Sequence, residues 1–467
     1  MQIPIINGIY TDSEPDFRIA YPVNLIPMAM ANGISIGYLR PSEGIVSAGS
    51  GYGTDRGAIN WNNKLYRVMG SKLVYISATG VLTVIGDVGN DGKPVTFDYS
   101  FDRLAIASNE NLFYYDGTTL SQVTDPDLGT VLDVVWVDGY FMTTDGEFLV
   151  VTELSDPTSV NPLKYGSSEA DPDPVVAILK IKNEIYALNR HTIEVFDNVG
   201  GAGFPFQRIE GAQVQKGCVG THACCEFLDT IAYVGSARNE QVSVYAIQGS
   251  TPIRISTSEV DKLLSGLSGA QLSAILVEKR KDKDSERLYI HLPDKTLVYD
   301  SRASESFGYP AWHILTSSET GYSQYRARNF VWVYNKHYVG DPQSQSVGYL
   351  DDTISSHWGQ KVGWEFSTPI FYNEGNGALI HSLELVSLTG RVAEGTSPTI
   401  STSYSYDGLS FSDPASISAG TTGQYNKRLM WRRQGRIRNW RIQKFTGDSD
   451  SHITVAALEA RLEPLMF

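Results

Sequence analysis

Apolar and polar residues alternate in short runs along most of the chain. The runs are rich in Val, Ile, Tyr and Phe, and Asp-Gly, Asn-Asn, Gly-Ser and Asp-Pro pairs cut them. Asp-Gly begins at Asp91, Asp116, Asp138, Asp145 and Asp407. Both residue types tolerate the positive φ of tight hairpin turns. A period of two predicts strands with one face buried, so the chain reads as mostly antiparallel β. Helical periodicity is scarce. The clearest start is Ser258-Glu-Val-Asp261, capping-box-like, leading into Lys262-Leu263-Leu264 and ending at Ser265-Gly266. A second short helix is predicted from Ser268 through Gln271-Leu272.

The strand pattern itself repeats. Clear units span residues 57–76, 95–117, 134–149 and 177–196, and weaker copies span 225–245, 286–300 and 330–350. Each reads as a strand, a two-residue turn, a Leu/Ile-Tyr strand, a turn and a third strand. The spacing, roughly 40–50 residues, is that of propeller blades. A small twisted sheet cannot bury both of its faces alone, and radial stacking of neighbours buries them. The expected architecture is all-β: a β-propeller of six or seven blades over 51–355, with a short helical insert near 256–273. Past Asp351 the strands lengthen, as in Thr399-Ile-Ser-Thr-Ser-Tyr404, and residues 356–467 are predicted to form a β-sandwich-like domain. Residues 1–50, with Pro22, Pro27 and Pro41, read as an extended segment that either wraps the propeller or donates the strand that closes it.

Composition narrows the function. In 467 residues, 38 Lys+Arg stand against 52 Asp+Glu, a net charge of −14. Apolar content of 42% with 11% aromatics is too high for a disordered chain. No apolar run approaches the roughly 18–20 residues of a membrane span. The opening Met1-Gln-Ile-Pro-Ile-Ile-Asn-Gly has neither a basic region nor a long apolar core, so no secretory leader is expected. Three cysteines, Cys218, Cys224 and Cys225, are too few and too close for a disulfide framework, which fits a reducing cytoplasm. The negative charge argues against wrapping nucleic acid over a broad surface, but is compatible with a passage through which DNA slides without sticking.

Candidate chemistry is thin. Cys218-x3-His222-x-Cys224-Cys225 has metal-ligand residue types but no paired Cys-x-x-Cys spacing, and adjacent strand cysteines point to opposite faces. Buried thiols are expected there, and neither a metal nor a cofactor. His191 and His291 are placed inside blade strands as packed side chains. Gly49-Ser-Gly51-Tyr-Gly53 lacks the strand, helix and Gly-Lys-Ser/Thr of a phosphate cradle. Ser405-Tyr-Asp407-Gly408-Leu-Ser-Phe411 is one residue short of a sialidase Asp-box and reads as a hairpin turn. Asp171/Asp173 and Asp351/Asp352 are loop carboxylates with no definable shared pocket, so no catalytic residue is assigned and the chain is expected not to be an enzyme. A carbohydrate-binding or glycan-hydrolysing propeller is the alternative, on fold analogy alone. The strongest local signal is basic: Lys427, Arg428, Arg432, Arg433, Arg436, Arg438 and Arg441 fall within fifteen residues. Such a cluster faces carboxylates, solvent or phosphate, and it is the candidate docking or lumen-lining patch.

Four stretches carry a family resemblance: Gly37-Tyr-Leu-Arg-Pro41, Val214-Gln-Lys-Gly217, His291-Leu-Pro-Asp-Lys-Thr-Leu-Val-Tyr-Asp300 and Lys427-Arg-Leu-Met-Trp-Arg-Arg-Gln-Gly-Arg-Ile-Arg438. In order and over the whole length, the chain resembles the packaged-DNA stabilisation proteins of short-tailed (podovirus) bacteriophages, the tail hub or nozzle below the portal. The resemblance implies a non-enzymatic virion protein, assembled in the host bacterial cytoplasm and residing in the tail. It implies a homohexamer under the portal–adaptor ring that extends the DNA channel and helps retain the packaged genome. Tailspike and tail needle are further partners it implies, and double-stranded DNA passes without sequence-specific binding.

Overall fold

The first hairpins of several blades turn on two consecutive residues in the left-handed backbone region. Asn62-Asn63, Leu228-Asp229 and Tyr334-Asn335 have φ of 53° and 56°, 50° and 58°, and 53° and 58°. Two consecutive positive φ values make the two-residue turn whose twist matches the flanking strands. The computed structural model describes residues 1–14, 16–30, 37–373, 376–437 and 439–465. Seven small antiparallel sheets follow from such hairpins. Blades 1 to 6 span residues 55–87, 96–122, 133–167, 175–208, 217–254 and 276–315, and blade 7 combines 328–351 with Gly44–Ser50. The first strands pack against one another in chain order, and Arg328–Val333 of blade 7 packs on Asp55–Trp61 of blade 1, which closes the ring.

Acidic side chains on these inner strands bind the backbone of the next blade. An Asp98 oxygen accepts from the Trp136 N–H at 2.6 Å, Asp133 from Ile178 at 2.9 Å, and Glu278 from Asn329 and Phe330 at 3.1 and 3.0 Å. At the closing seam Arg67 grips Asp55 through two hydrogen bonds of 2.7 and 2.9 Å, both side chains wholly buried. Gly340 leaves room for this pair; a Cβ there would lie 2.1 Å from the Asp55 carboxyl carbon.

The segment before blade 1 serves two bodies. Gly44–Ser50 pairs antiparallel with Ser346–Asp351 as the fourth strand of blade 7. Leu25–Ala29 and Gly37–Pro41 instead join a seven-stranded sheet with Thr454–Pro464, Ala378–Leu388 and Leu429–Arg432, flanked by Gln2–Ile3 and Arg436–Ile437. A second sheet of Gly363–Ser367, Phe371–Tyr372, Trp440–Asp448, Thr399–Ser405 and Ala415–Ser418 covers its inner face. Leu383, Leu429, Trp431 and Leu458 from one sheet meet Trp364, Phe366, Ile400 and Phe445 from the other. The sandwich sits beside blades 6 and 7. Val23 bridges Ile314 of blade 6 to Glu365, and Ile45 of blade 7 bridges to His357.

Among the described residues three α-helices interrupt the β-structure. Helix α1 (Ser258–Ser265) is capped by Thr257, one residue before the expected start, whose hydroxyl accepts from the Val260 N–H. Helix α2 (Gly269–Ser273) has the Ser268/Gln271 capping box. Helix α3 (Ser301–Phe307) was not anticipated by any apolar period; Asp300 caps it, and Gly308 at φ 75° ends it. Replacing Thr257 with Ala is expected to cost about 1 kcal/mol, and Thr257→Ser to restore most of it. Denaturant midpoints of the two variants check this, and equal midpoints would show the cap to be idle. His191 lies in the turn between Glu184–Asn189 and Ile193–Asn198, not in a strand, because Arg190–Thr192 make the bend and its amide donates to Asp173. His291 is inside a strand and buried, bonded to Thr296 and to Glu278 at 2.9 and 2.7 Å.

Candidate docking surface

The basic stretch is not one strand but three pieces, and strand alternation sorts its side chains. In Leu429–Arg432, Leu429 and Trp431 point into the sandwich core, while Arg432 is exposed and Met430 partly so. Arg433 takes φ 55° and Gly435 φ 74°, and their turn donates backbone N–H groups from Arg433 and Gln434 to His381 and Ile380. This break in alternation exposes Arg432 and Arg433 together. Arg436–Ile437 then resumes pairing, with Ile437 buried and Arg436 exposed. Lys427 and Arg428 precede the strand and are exposed. Arg438 lies outside the described residues.

Arg441 is a correction to the expected patch. It belongs to Trp440–Asp448 of the other sheet and is fully buried. Its guanidinium donates to the Gln443 side chain at 2.9 and 3.1 Å and to the Gln434 carbonyl, and stacks 3.9 Å from the Tyr404 ring. Burial pulls it down to about 10, with no carboxylate beside it to counter the desolvation. It holds the sandwich rather than a partner.

Of the exposed cations, Arg428 already has a mate: Glu384 accepts two hydrogen bonds from it at 2.6 and 2.7 Å, which hold that carboxyl below the usual range. Lys427, Arg432, Arg433 and Arg436 make no ion pair with any described residue. The alternation of the long neighbouring strands adds groups that the basic run did not reveal. His381 meets Glu463 at 2.8 Å, and Arg461 lies beside Arg428, Met430 and Arg432 around a shallow cavity of about 570 Å³. The pattern Glu459-Ala-Arg461-Leu-Glu463 carries that signal in the sequence.

A larger cleft of about 1020 Å³ opens between blades 6 and 7, where Trp332 is exposed among Lys281, Lys283, Lys336, Asp351 and Asp352. The loop carboxylates weighed for catalysis are engaged locally: Asp171 by Arg238, Asp173 by the His191 amide and Asp351 by Thr353. Asp407 caps its own turn, accepting from Leu409 and Ser410. Cys218 and Cys224 are buried free thiols, and Cys225 is partly buried. Among the described residues no group of three or more His, Cys, Asp and Glu converges on a metal-sized site, and no helix is long and apolar enough to cross a membrane.

What the geometry defines is a scaffold class: a seven-bladed propeller fused through its N-terminal strands to a β-sandwich that displays unpaired guanidinium groups on its outer face. The chain belongs to the bacteriophage P22 Gp10 family, whose β-propeller model matches residues 1–355 and whose β-sandwich model matches 363–463. The tail hub protein gp10 of Salmonella phage P22 is 30% identical over 99% of both chains. Among solved structures, the N-terminal domain of Nup159 is 10% identical, covering 66% of this chain and 95% of that one, with a TM-score of 0.41. The Neurospora crassa Pan2 WD40 domain is also 10% identical, covering 66% and 94%, with a TM-score of 0.42.

Proposed function

We propose that this chain is the tail hub of a short-tailed phage, a structural virion protein rather than an enzyme. The observation that carries the reading is the end-to-end match to the P22 tail hub protein, through propeller and sandwich alike. In this reading it forms a homohexameric ring below the portal–adaptor ring, extends the DNA channel, helps retain the packaged genome, and anchors tailspikes and a tail needle. The exposed set Lys427, Arg428, Arg432, Arg433 and Arg436 serves protein docking within the tail. An overall charge of −14 suits a conduit, since like-charge repulsion keeps passing DNA from adhering.

The test is the DNA content of particles assembled without this protein. Heads that fill and then lose their DNA, with retention restored by adding the purified chain, are the expected result. Heads that stay full without it would overturn the retention role.

A further inference from the structure

We infer that the basic outer face of the sandwich docks, head to tail, on the acidic blades 2 and 3 of a second copy of this chain. The inference rests on the tail-hub reading for the existence of a ring, and it names the two surfaces that join its subunits.

The charge of the chain is sharply partitioned. Residues 104–179, which make most of blades 2 and 3 and enter blade 4, contain thirteen Asp or Glu and a single Lys or Arg, Lys164. Lys164 is already bonded to Glu153 at 2.6 Å. Residues 427–441 contain seven Lys or Arg and no acid, and five of the seven, Lys427, Arg428, Arg432, Arg433 and Arg436, are exposed on the sandwich. The first stretch therefore accounts for −12 of the chain's −14. The two regions cannot satisfy each other within one molecule. In a closed ring of seven, blade 3 lies three steps from blade 6 in one direction and three from blade 7 in the other, and the sandwich sits beside blades 6 and 7. The fold thus places an acidic edge and a basic face on opposite sides of one rigid body.

Both surfaces also carry exposed apolar groups where an interface would use them. On the acidic side Leu163 is 85% exposed, in the same connection as Glu153 and close to Asp127, whose carbonyl accepts from the neighbouring Tyr165 hydroxyl. Glu110, Asp127, Glu147 and Glu169, spread over blades 2 and 3 and the connection to blade 4, are exposed. On the basic side Tyr425 is 74% exposed, two residues from Lys427. An apolar anchor rimmed by complementary charge is the usual anatomy of a specific interface. Because the two faces differ, the contact is heterologous, and repeating it yields a ring when the rotation closes and a filament when it does not.

The full-length chain is followed by sedimentation at about 50 and about 500 mM salt. Wild type is expected to assemble at low salt and to weaken by about tenfold or more at high salt. Two triple variants, Arg432→Glu/Arg433→Glu/Arg436→Glu and Asp127→Lys/Glu147→Lys/Glu169→Lys, should each be monomeric but melt like wild type. Mixing them should restore assembly with the two variants in alternation, since each sandwich face then meets blades of opposite charge on the other variant, and the six changes combined in one chain should restore self-association. Wild-type assembly that persists in both triple variants would overturn this pairing while leaving the ring intact. A wild-type chain that never self-associates would overturn the ring itself. If the arginine variant loses binding to a duplex DNA probe yet still assembles, the face belongs to nucleic acid and the inference falls.

Discussion

Replacing Glu43 with Ala is expected to destabilise the chain by about 3–5 kcal/mol, the range for breaking a buried charge pair by removing one partner. Glu43 is 9% exposed and sits between Gly37–Pro41, which belongs to the sandwich, and Gly44–Ser50, which closes blade 7. Three guanidinium groups surround it: Arg40 at 2.7 Å, Arg280 at 3.2 Å and Arg287 at 3.7 Å. Burial alone would raise this carboxyl, but the three cations outweigh it and hold Glu43 far below the usual carboxylate range. Asp282 and Asp300 complete the network, at 2.8 and 2.7 Å from Arg287. With Glu43 present the cluster has three positive and three negative groups; without it, one buried positive charge has no counterpart. Denaturant unfolding reads the loss directly. Hydrogen exchange should rise first at the amides of 44–50, because that strand is held to the ring at its start by this network. A change below about 0.5 kcal/mol would mean that water reaches the site and screens it.

That network also shows where sequence reading stops. The blades were legible because each is a local unit: a period of 40–50 residues, hairpin turns of Asn, Asp and Gly, and β-branched or aromatic strands. The pairings that close the molecule are not local. Gly44–Ser50 pairs with Ser346–Asp351 some three hundred residues away, and Arg40 reaches Asp282 across 242 positions. Either a wrapping or a closing role fitted the pattern of residues 1–50, and alternation alone cannot choose a partner. The basic stretch was visible as composition, yet treating it as one strand misplaced Arg441, whose neighbours belong to a different sheet. Helix α3 was hidden because Ser-Arg-Ala-Ser-Glu-Ser-Phe has no apolar period, although Asp300 before it and Gly308 after it are readable caps. The acidic blades were in plain view, but a charge averaged over 467 residues conceals a segment that holds nearly all of it.

Acid should unfold the chain well above the pH at which its carboxylates titrate, and the cause is buried imidazole. His313 and His357 are each 1% exposed. Burial pulls His313 down to about 3, helped by Arg287 and Arg280 and opposed by Asp300 and Glu43. Burial likewise pulls His357 down to about 3, with Arg326 adding to the effect. Neither His313 ring nitrogen has a hydrogen-bond partner, so nothing nearby supports a proton on it. In the unfolded chain both titrate near 6.5. Folded values below unfolded ones mean that the unfolded state binds protons more readily, so their contribution is fully present above pH 6.5 and is lost as pH falls toward 3. At pH 4.5 each imidazole should cost roughly 2–3 kcal/mol relative to pH 7.5. Asp133 works the other way: burial raises it to about 7, and raises Asp55, Glu259 and Asp448 as well, so their protonation favours the fold as pH falls; His222 and His337, each pulled down to about 4 by burial, add to the imidazole side. The melting temperature should therefore be flat above pH 7 and fall steeply from pH 6.5 to 4.5. His313→Phe, which keeps the volume and removes the titrating group, should flatten that limb at little cost near pH 7.5. Equal melting temperatures at pH 4.5 and 7.5 in the wild-type chain would show that these imidazoles accept protons without unfolding it.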